Sequence, residues 1–356
     1  MPNRETRPDP ESGTVDDAIP LRELLRTAAE RPFSAEEAET AFTHLMEGRG
    51  SPVETAALLV AIRVRGAHPA EVAGGVRALR RAMVSVPAER PEELVDTCGT
   101  GGGSLVTYNI STVAALIAAA AGVRIAKHGN RSFTSRCGSA DVLEELGVRL
   151  DLTPEREAEV LREAGVVFMF APLHHPAMRH VAPVRRELGM PTLMNVLGPL
   201  TNPAGAARQV VGVSDPAYIP LIAGGLRELG HRRALVVHGA PGLDEISPLG
   251  VTEGLELRDG EIRPWRYEPE ATDGDGAAEL AGGDPTRNAE IVRGILSGEV
   301  GGAARSAALL NAAAALYVSG RVESLGDGVV LAERALDDGS ASERLAALRA
   351  ASGGGA

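Results

Sequence analysis

Residues 94–127 read LVDTCGTGGGSLVTYNISTVAALIAAAAGVRIAK. Two short apolar runs, Leu94–Cys98 and Val123–Lys127, have the length of buried strands, and the apolar run Ser111–Ala121 between them predicts a helix. A strand, a helix and a second strand in this order form a unit whose two strands lie parallel in one sheet. This stretch therefore predicts an α/β fold.

The same alternation continues toward the C-terminus and predicts a mainly parallel central sheet covered by helices. Further strands are expected at Val166–Phe170, Gln209–Val213 and Ala234–His238, and further helices at Ala140–Leu146, Pro154–Ala164 and Pro216–Leu229. Glu268–Arg287 is rich in Gly, Asp, Glu and Ala, and we expect a long surface loop there. A last helical stretch is expected at Leu309–Tyr317.

Residues 20–90 carry helix signals only. Ser34 with Glu37 and Ser51 with Glu54 are two capping boxes, each placed before an apolar run. These signals predict a small bundle of four short helices. The polar residues 1–18 and the C-terminal SGGGA are expected to be disordered.

Composition excludes several classes of function. The 356 residues carry a net charge of −12 and only 3% aromatic side chains, which argues against a general nucleic-acid binder or an anionic-membrane binder. The longest apolar run, residues 113–123, is about half of what a bilayer span needs, and no signal peptide is recognisable. We therefore expect a soluble, cytoplasmic protein whose two cysteines are reduced.

Lysine usage singles out one position. Of the 36 basic residues, Lys127 is the only lysine. A site that keeps lysine in an arginine-rich chain is expected to need a compact ammonium rather than a planar guanidinium. Chance survival of one lysine is the alternative.

Three polar segments follow predicted strands or precede helices, where phosphates bind. The Gly-rich turn in Asp96–Ser104 lets backbone N–H groups approach an anion, although a plain tight turn explains it equally well. Thr107–Thr112 gathers several capping residues at a helix start, where one cap needs only one. Lys127–Asp141 is a basic, donor-rich loop, with a solvated polar loop as its alternative.

Two further groups suggest metal binding. Asp244 and Glu245 follow the strand Ala234–His238, and adjacent carboxylates near phosphates suit Mg²⁺, although an acidic pair is usually solvated surface. His174, His175 and His180 suggest zinc. No cysteine or acid stands at ligand spacing to them, so we expect ordinary surface histidines.

Taken together, these segments resemble the anthranilate phosphoribosyltransferase family, whose motifs they match in the same order along the chain. The matching elements are GTGGG (99–103), NIST (109–112), KHGNRS (127–132), GSADVLEELG (138–147), VRRELG (184–189), LGPLTNP (197–203) and VVHGAPGLDE (236–245). They cover residues 96–245 densely, and weaker similarity extends to both sides. The resemblance implies transfer of phosphoribose from 5-phosphoribosyl-1-diphosphate (PRPP) to the anthranilate amine, with release of diphosphate, in tryptophan biosynthesis.

The resemblance also implies an organisation. It assigns a disordered tail (1–19), a helical domain (20–92 and 174–204) and an α/β phosphoribosyl-binding domain (93–173 and 205–350). The active site would lie at the hinge between the two domains and use Mg²⁺, with two ions per site. A homodimer joined through the helical domain is expected.

Site residues follow from the matching motifs, residue by residue. PRPP contacts are implied for Gly99, Gly102, Gly103, Thr107, Asn109, Ile110, Ser111, Thr112, Lys127, His128, Gly129, Asn130, Arg131, Ser132, Phe133, Thr134, Ser135 and Ser139. Anthranilate contacts are implied for Gly99, Asn130 and Arg185, with Arg185 pairing the carboxylate. The implied metal ligands are Ser111, Asp244 and Glu245, and the implied catalytic residues are Lys127, Asp244 and Glu245.

The chain departs from the family pattern in two places. Gly103 stands where Asp is usual, which removes a carboxylate beside PRPP, and Met194 stands where an aromatic is common.

Two rival functions remain. A nucleoside phosphorylase would share the architecture but lack the NIST and KHGNR combination, and a non-catalytic nucleic-acid-binding relative would show a basic groove and a lost acidic pair.

Overall fold

The computed structural model describes residues 19–103, 105–132, 136–269 and 276–354. Its centre is a seven-stranded sheet in the order β3-β2-β1-β4-β5-β6-β7, parallel from β3 to β5 and antiparallel at β6 and β7. The strands are β1 Val95–Gly99, β2 Ile125–Gly129, β3 Val166–Phe170, β4 Arg208–Gly212, β5 Arg233–Gly239, β6 Thr252–Arg258 and β7 Glu261–Tyr267. The predicted α/β class is confirmed, and each of the five predicted strands lies within two residues of its observed bounds.

The hairpin β6–β7 was missed. Its strands are polar and half-exposed, and Pro264 lies inside β7, so neither strand shows the apolar run that marks β1 to β5. The Asp259-Gly260 turn was the available signal. Both residues have positive φ (51° and 84°), which a two-residue hairpin turn requires and which Asp-Gly supplies readily.

Helices cover both faces of the sheet. The first four are α1 Leu21–Glu30, α2 Ala35–Met46, α3 Pro52–Arg65 and α4 Pro69–Ala82, as the bundle prediction requires. The next are α5 Ile110–Ala120, α6 Ser139–Glu145, α7 Pro154–Ala164, α8 Ala171–His174, α9 Ala182–Leu188, α10 Met194–Leu197 and α11 Tyr218–Glu228. The last are α12 Gly276–Leu280, α13 Pro285–Leu296, α14 Gly302–Ser319, α15 Leu325–Asp337 and α16 Ser340–Ser352.

Both predicted capping boxes form. The Ser34 hydroxyl accepts from the Glu37 N–H at 3.1 Å, and the Glu37 carboxylate accepts from the Ser34 N–H at 2.9 Å. Ser51 and Glu54 repeat the arrangement at the start of α3. These local bonds satisfy backbone donors that a helix start leaves free, which is why the boxes were readable from the sequence.

Three predictions about the C-terminal third were wrong in part. The proposed loop Glu268–Arg287 contains α12 and the start of α13, while residues 270–275 lie outside the described part of the chain. The proposed last helix lies inside α14, and α15 and α16 follow it. Ser352 of the proposed disordered tail is buried at the end of α16. The other proposed tail, residues 1–18, lies outside the described residues.

Two apolar clusters hold these layers together. One joins α5, α14 and their neighbours to one face of the sheet. The other joins the bundle, residues 181–200 and α11 to the opposite face of β4 and β5. Segment 181–200 therefore packs with the bundle, although the domain boundaries themselves stay a prediction. Within the described residues, no helix is both long and apolar enough to cross a bilayer.

Candidate functional site

The candidate site lies at the carboxyl ends of β1, β4 and β5. The chain leaves β1 toward β2 on one side and returns to β4 on the other, so the strand order reverses at this point. Open α/β sheets bind ligands in the crevice outside such a reversal. Two bonds hold the crevice walls together: the Thr100 N–H donates to the Gly212 carbonyl at 2.9 Å, and the Ser214 N–H donates to the Thr100 hydroxyl at 3.1 Å.

The Gly-rich turn after β1 closes over a carboxylate. The Gly101 N–H donates to Asp244 Oδ2 at 3.1 Å. A Cβ at Gly99 would lie 2.8 Å from that same oxygen, so the close approach requires glycine there. Gly101 and Gly102 both have positive φ. The turn is thus shaped around Asp244 rather than being a plain strand-to-helix connection.

Glu245 caps the start of α5 from another part of the chain. Its Oε1 accepts from the Ser111 N–H at 3.1 Å. Asn109, at the N-cap position with φ 68°, makes no side-chain cap; its amide donates to the Cys137 carbonyl at 3.2 Å and accepts from Asn288 at 2.8 Å. The capping residues recognised in the sequence therefore serve tertiary contacts, while a carboxylate occupies the helix N-terminus.

Lys127 lies between these groups. Its side chain is 4% exposed, and Nζ donates to the Ser111 hydroxyl at 3.1 Å and to the Thr97 carbonyl. Burial lowers its pKa, against the charges of Asp96, Glu245 and Asp244, which favour the ammonium. A compact ammonium fits this enclosed position, in keeping with the lysine usage of the chain.

Buried carboxyl groups crowd the crevice. Burial and the charge of Asp244 raise the pKa of Glu245 to about 8, and burial raises the pKa of Asp244. Burial also raises the pKa of Asp96, behind the crevice, to about 6. Within the described chain, none of the three carboxylates makes an ion pair within 4.0 Å. Three carboxyl groups therefore lie around one ammonium without direct pairing, and a bound cation would favour their charged forms.

This donor set fits Mg²⁺. Two carboxylates and the Ser111 hydroxyl offer hard oxygen ligands, and Mg²⁺ usually takes one or two carboxylates and completes its shell with water and substrate oxygens. Among the residues that the structure describes, no group of three or more His, Cys, Asp or Glu could hold a metal alone. An incomplete protein shell of this kind suits an ion that arrives with a phosphate-bearing substrate.

The loop after β2 is tied back to α6. Arg131 pairs with Asp141 at 2.8 Å and also with Glu144. The Ser139 hydroxyl donates to the Asn130 carbonyl at 3.3 Å. The Arg131 guanidinium is thus engaged by carboxylates, and its implied contact with PRPP stays a prediction. Phe133, Thr134 and Ser135 lie outside the described residues.

The other implied PRPP residues are spread around the crevice. Ile110 and Thr112 are buried, with 0% and 1% exposure, so only their backbone faces the helix start. His128 is buried, and its N–H donates to Asp96 at 3.1 Å. A Cβ at Gly129 would lie 2.4 Å from the Ser139 hydroxyl. The remaining positions, in the Gly-rich turn, before α5 and after β2, are Gly102, Gly103, Thr107 and Ser132.

Gly103, the departure from the family pattern, borders Asp244. A Cβ there would lie 3.2 Å from the Gly242 carbonyl and 3.3 Å from Asp244 Oδ1. An aspartate at this position would add another carboxylate to a region that already has an excess of them. Its absence bears on the metal affinity of this chain.

Arg185, implied to pair the anthranilate carboxylate, lies in α9 on the bundle side. Its guanidinium is half-buried, and burial lowers its pKa. Among the described residues, its one hydrogen-bond acceptor is Asn195 Oδ1 at a long 3.5 Å, and no carboxylate lies within ion-pair distance. A half-buried arginine in this setting is suited to an anionic ligand, and its role stays a prediction.

The expectation of surface histidines was wrong for His174. This residue is 1% exposed, with Nε2 3.0 Å from Glu157 and Nδ1 2.8 Å from the Val84 carbonyl. Burial opposes its protonation, but the hydrogen bond and the charge of Glu157 outweigh burial and raise the pKa of His174. Glu157 comes from α7, so sequence spacing gave no sign of the pair.

Sequence reasoning also missed two contacts through which α14 positions the site. Asn311 Oδ1 accepts from the Ile246 N–H at 2.9 Å, and its Nδ2 donates to the Ile246 carbonyl at 3.0 Å, directly after Glu245. The Tyr108 hydroxyl donates to the Ala304 carbonyl at 2.6 Å, just before α5. The helix α14 thus holds both the segment that carries Asp244 and Glu245 and the segment that leads into Ser111. A lone Asn inside the apolar run of α14 was the available signal.

Comparisons with known proteins agree with this geometry. Residues 91–342 match the glycosyl transferase family a/b domain, and residues 21–83 match its helical bundle domain. Anthranilate phosphoribosyltransferase of Rubrobacter xylanophilus is 53% identical over 329 residues, which are 90% of this chain and 94% of the relative. The Caulobacter vibrioides enzyme of the same name is 47% identical, over 92% and 96% of the two chains.

Solved structures show the same fold. Anthranilate phosphoribosyltransferase from Thermus thermophilus superposes with a TM-score of 0.85 at 43% identity, over 92% of this chain and 99% of that one. The Saccharomyces cerevisiae protein, in complex with PRPP and Mg, has a TM-score of 0.82 at 24% identity, over 94% and 98%. With a matching family model over most of its length and relatives near half identity, the chain belongs to the anthranilate phosphoribosyltransferase family.

Proposed function

We propose that this protein transfers the phosphoribosyl group of PRPP to the amine of anthranilate, giving N-(5-phosphoribosyl)anthranilate and diphosphate in tryptophan biosynthesis. One observation carries the proposal. In a chain of this family, the Gly-rich turn, the start of α5, Lys127 and the Asp244–Glu245 pair meet in one crevice. That combination pairs backbone and ammonium donors for phosphates with hard ligands for a divalent cation.

The reaction demands charge stabilisation more than proton transfer. Substitution at the anomeric carbon builds positive charge on the sugar while diphosphate leaves with several negative charges. Lys127 and the backbone N–H groups of the Gly-rich turn would hold the phosphate oxygens and align them. Asp244, Glu245 and Ser111 would hold Mg²⁺, which when bound neutralises the departing diphosphate. We carry over two ions per site as part of the proposal.

No essential general base is required, because the aromatic amine is already a competent nucleophile. His128 is the nearest candidate base. Burial and the neighbouring histidines lower its pKa well below the ordinary value, so it is a weak base. A His128 variant that binds both substrates normally is expected to keep its rate within about 10³-fold of wild type, since a larger loss is on the scale of general-base catalysis.

In this proposal the two substrates lie side by side in the crevice and share contacts with Gly99 and Asn130. PRPP would lie against the Gly-rich turn, the α5 start and the loop after β2, and anthranilate between Gly99, Asn130 and Arg185. Arg185 comes from the segment that packs with the bundle, so anthranilate would lie between the bundle and the sheet. This placement puts the amine beside the sugar and the anthranilate carboxylate beside a cation.

A homodimer through the helical domain, acting in the cytoplasm, completes the proposal. Val53 and Val64 on α3 are 78% and 80% exposed, which is unusual for large apolar side chains spaced along one helix. Burial of such side chains favours association. Analytical ultracentrifugation of wild type and of Val64→Glu should give a dimer and a monomer; equal masses would contradict this part.

The reaction is tested with the purified full chain, PRPP, anthranilate and Mg²⁺. Anthranilate consumption and diphosphate release are expected in equal amounts. A parallel reaction with inorganic phosphate and a nucleoside is expected to release no base, and a gel shift with DNA is expected to be absent. Base release or a shift without anthranilate consumption would favour the phosphorylase or the nucleic-acid-binding alternative.

A further inference from the structure

Three arginines from well-separated parts of the sequence lie side by side at the end of the sheet opposite to the candidate site. Arg208 begins β4, Arg233 begins β5 and Arg258 ends β6. In the sheet register, Arg208 pairs with Arg233 and Arg233 pairs with Arg258. We call these residues the arginine ladder. Like charges directly opposite each other across strands are destabilising, so the ladder needs an explanation.

Within the described part of the chain, the middle arginine has no countercharge. Arg233 is 8% exposed, and its Nε and Nη2 have no hydrogen-bond partner among these residues. Its described side-chain contact is the ring of Tyr317, whose centroid is 4.9 Å from the guanidinium carbon. A buried charge without a partner is costly, and a ring face compensates only part of that cost.

The carboxylates close by are engaged elsewhere or exposed. Glu256 accepts from the Tyr317 hydroxyl at 2.8 Å, and Glu323 pairs with Arg258 at 3.3 Å. Glu93 pairs with Arg90 at 3.1 Å, and Asp259 is exposed in the hairpin turn. Near the end of α14, the Leu316 and Tyr317 carbonyls accept from the Gly320 N–H. The described chain therefore offers Arg233 no anionic partner within 4.0 Å.

Two guanidiniums of the ladder point to one place. Arg233 Nη1 and Arg208 Nη1 lie 3.2 Å and 3.4 Å from the position where a Cβ at Gly320 would stand. Gly320, the residue directly after α14, has φ 80° and no side chain to fill that space. Arg208 is held in this direction because its Nε donates to the Glu92 carbonyl at 3.1 Å.

We propose that the arginine ladder is a binding site for a phosphate-type oxyanion, separate from the crevice at the carboxyl ends of the strands. Planar guanidiniums match the oxygens of phosphate and form charge-assisted hydrogen bonds with them. The anion lies between Arg208 and Arg233 beside Gly320. It supplies the negative countercharge that the described residues do not give Arg233. The site does not depend on the proposed transferase activity.

The test is calorimetric titration of the full chain with inorganic phosphate at constant ionic strength. Arg233→Met keeps the length of the side chain and removes its charge. Arg124→Met is the matched control, since Arg124 is a half-buried arginine just before β2 that donates to the Glu89 carbonyl at 2.9 Å. We expect Arg233→Met to weaken phosphate binding at the ladder at least about tenfold, the scale of one charge-assisted hydrogen bond, and the control to keep it.

Thermal unfolding provides an independent readout. Without phosphate, Arg233→Met is expected to melt no lower than wild type, because a buried unpaired charge is lost. With phosphate, wild type is expected to gain stability and the variant is not. If Arg233→Met fails to fold, the same titration of Arg208→Met, at the half-buried first residue of β4, replaces it.

Equal phosphate binding by wild type and the ladder variants would overturn the proposal, as would an equal loss in the Arg124→Met control. Anthranilate turnover, measured in the same samples, separates this result from the proposed function. Turnover without a ladder-dependent phosphate site refutes the ladder alone, and a ladder-dependent site without turnover refutes the transferase alone.

Discussion

The two ends of the parallel sheet carry opposite charges. At the carboxyl ends, Asp244, Glu245 and Asp96 surround the single ammonium of Lys127. At the amino ends, Arg208 and Arg233 lie opposite each other, and among the described residues neither pairs with a carboxylate within 4.0 Å. In both places the protein brings together ionisable groups of one kind with few partners of the other kind.

Under our two proposals, each group of like ionisable side chains binds a ligand of opposite charge. At both ends, a glycine leaves space beside the ionisable side chains. Gly99 allows the chain to approach Asp244, and Gly320 leaves space beside two guanidiniums. A cation suits the first end and an oxyanion suits the second.

The largest effect is expected for Glu245→Gln. The amide oxygen still accepts from the Ser111 N–H, but the side chain can no longer supply a carboxylate ligand to a cation. We expect kcat/KM to fall about 10³-fold, since a metal contributes several kcal/mol of charge stabilisation. Steady-state kinetics over a range of Mg²⁺ measures it. Glu253→Gln, at an exposed position on β6, is the control and should be unchanged; similar rates in both variants would remove Glu245 from the metal site.

At the amino ends of the strands, buried His231 is expected to make the folded protein less stable in acid. Burial, with the charge of Arg80, lowers the pKa of His231 to about 3. The unfolded chain binds this proton below about pH 6.5 and the folded chain does not, so stability is complete above about pH 6.5 and falls as the pH drops toward about 3.

His231→Leu removes this proton linkage. Between about pH 7.5 and about pH 4.5, wild type should lose about 2–3 kcal/mol more of its free energy of unfolding than the variant does. Urea unfolding at the two pH values measures the difference, and each protein at the higher pH is its own control. Parallel losses would mean that His231 takes up its proton in the folded state.

Asn311→Leu tests the support behind the carboxylates. The change leaves the backbone N–H and carbonyl of Ile246 without partners and loosens the segment that carries Asp244 and Glu245. We expect the Mg²⁺ concentration for half-maximal rate to rise about 10–100-fold, as for residues that orient metal ligands. Mn²⁺ binding followed by electron paramagnetic resonance should weaken in parallel.

Ser352→Ala is the matched control for Asn311→Leu. Ser352 is also buried, and its hydroxyl accepts from the Arg149 N–H at 3.1 Å, away from the crevice. It should lower the melting temperature without changing the Mg²⁺ requirement. The positioning role of Asn311 fails if its variant loses stability alone.

The smallest effect is expected for Lys127→Arg. The charge is kept, but a planar guanidinium does not fit a buried site that bonds the Ser111 hydroxyl and the Thr97 carbonyl. We expect kcat/KM for PRPP to fall by at least ~1–2 kcal/mol, the scale of a charge-assisted hydrogen bond. Kinetics equal to wild type would make the single lysine an accident of composition.

The sequence allowed prediction wherever local chemistry decides structure. The strands β1 to β5, both capping boxes and the Gly-rich turn each depend on neighbouring residues, and each was predicted. The hairpin β6–β7 was missed because its strands are polar and half-exposed, so the Asp259-Gly260 turn was its only clear sign.

Contacts between distant segments were beyond such reasoning. Glu157 meets His174 from another helix, Asn311 reaches Ile246 across 65 residues, and Arg208 and Arg233 meet through strand register. None of these pairs has a spacing that a pattern could mark. The sequence did single out Lys127, Asp244 and Glu245, which lie in or just after strands, and the structure brings them to one crevice, while their roles stay predictions.

The central claim is that the carboxyl ends of the sheet use a divalent cation to transfer phosphoribose. It is tested most directly by following anthranilate fluorescence after PRPP and Mg²⁺ are added to the purified wild-type protein. We expect the fluorescence to decay, the decay to stop with EDTA, and excess Mg²⁺ to restore it. No decay with both substrates bound, or a decay that EDTA leaves unchanged, would contradict the account.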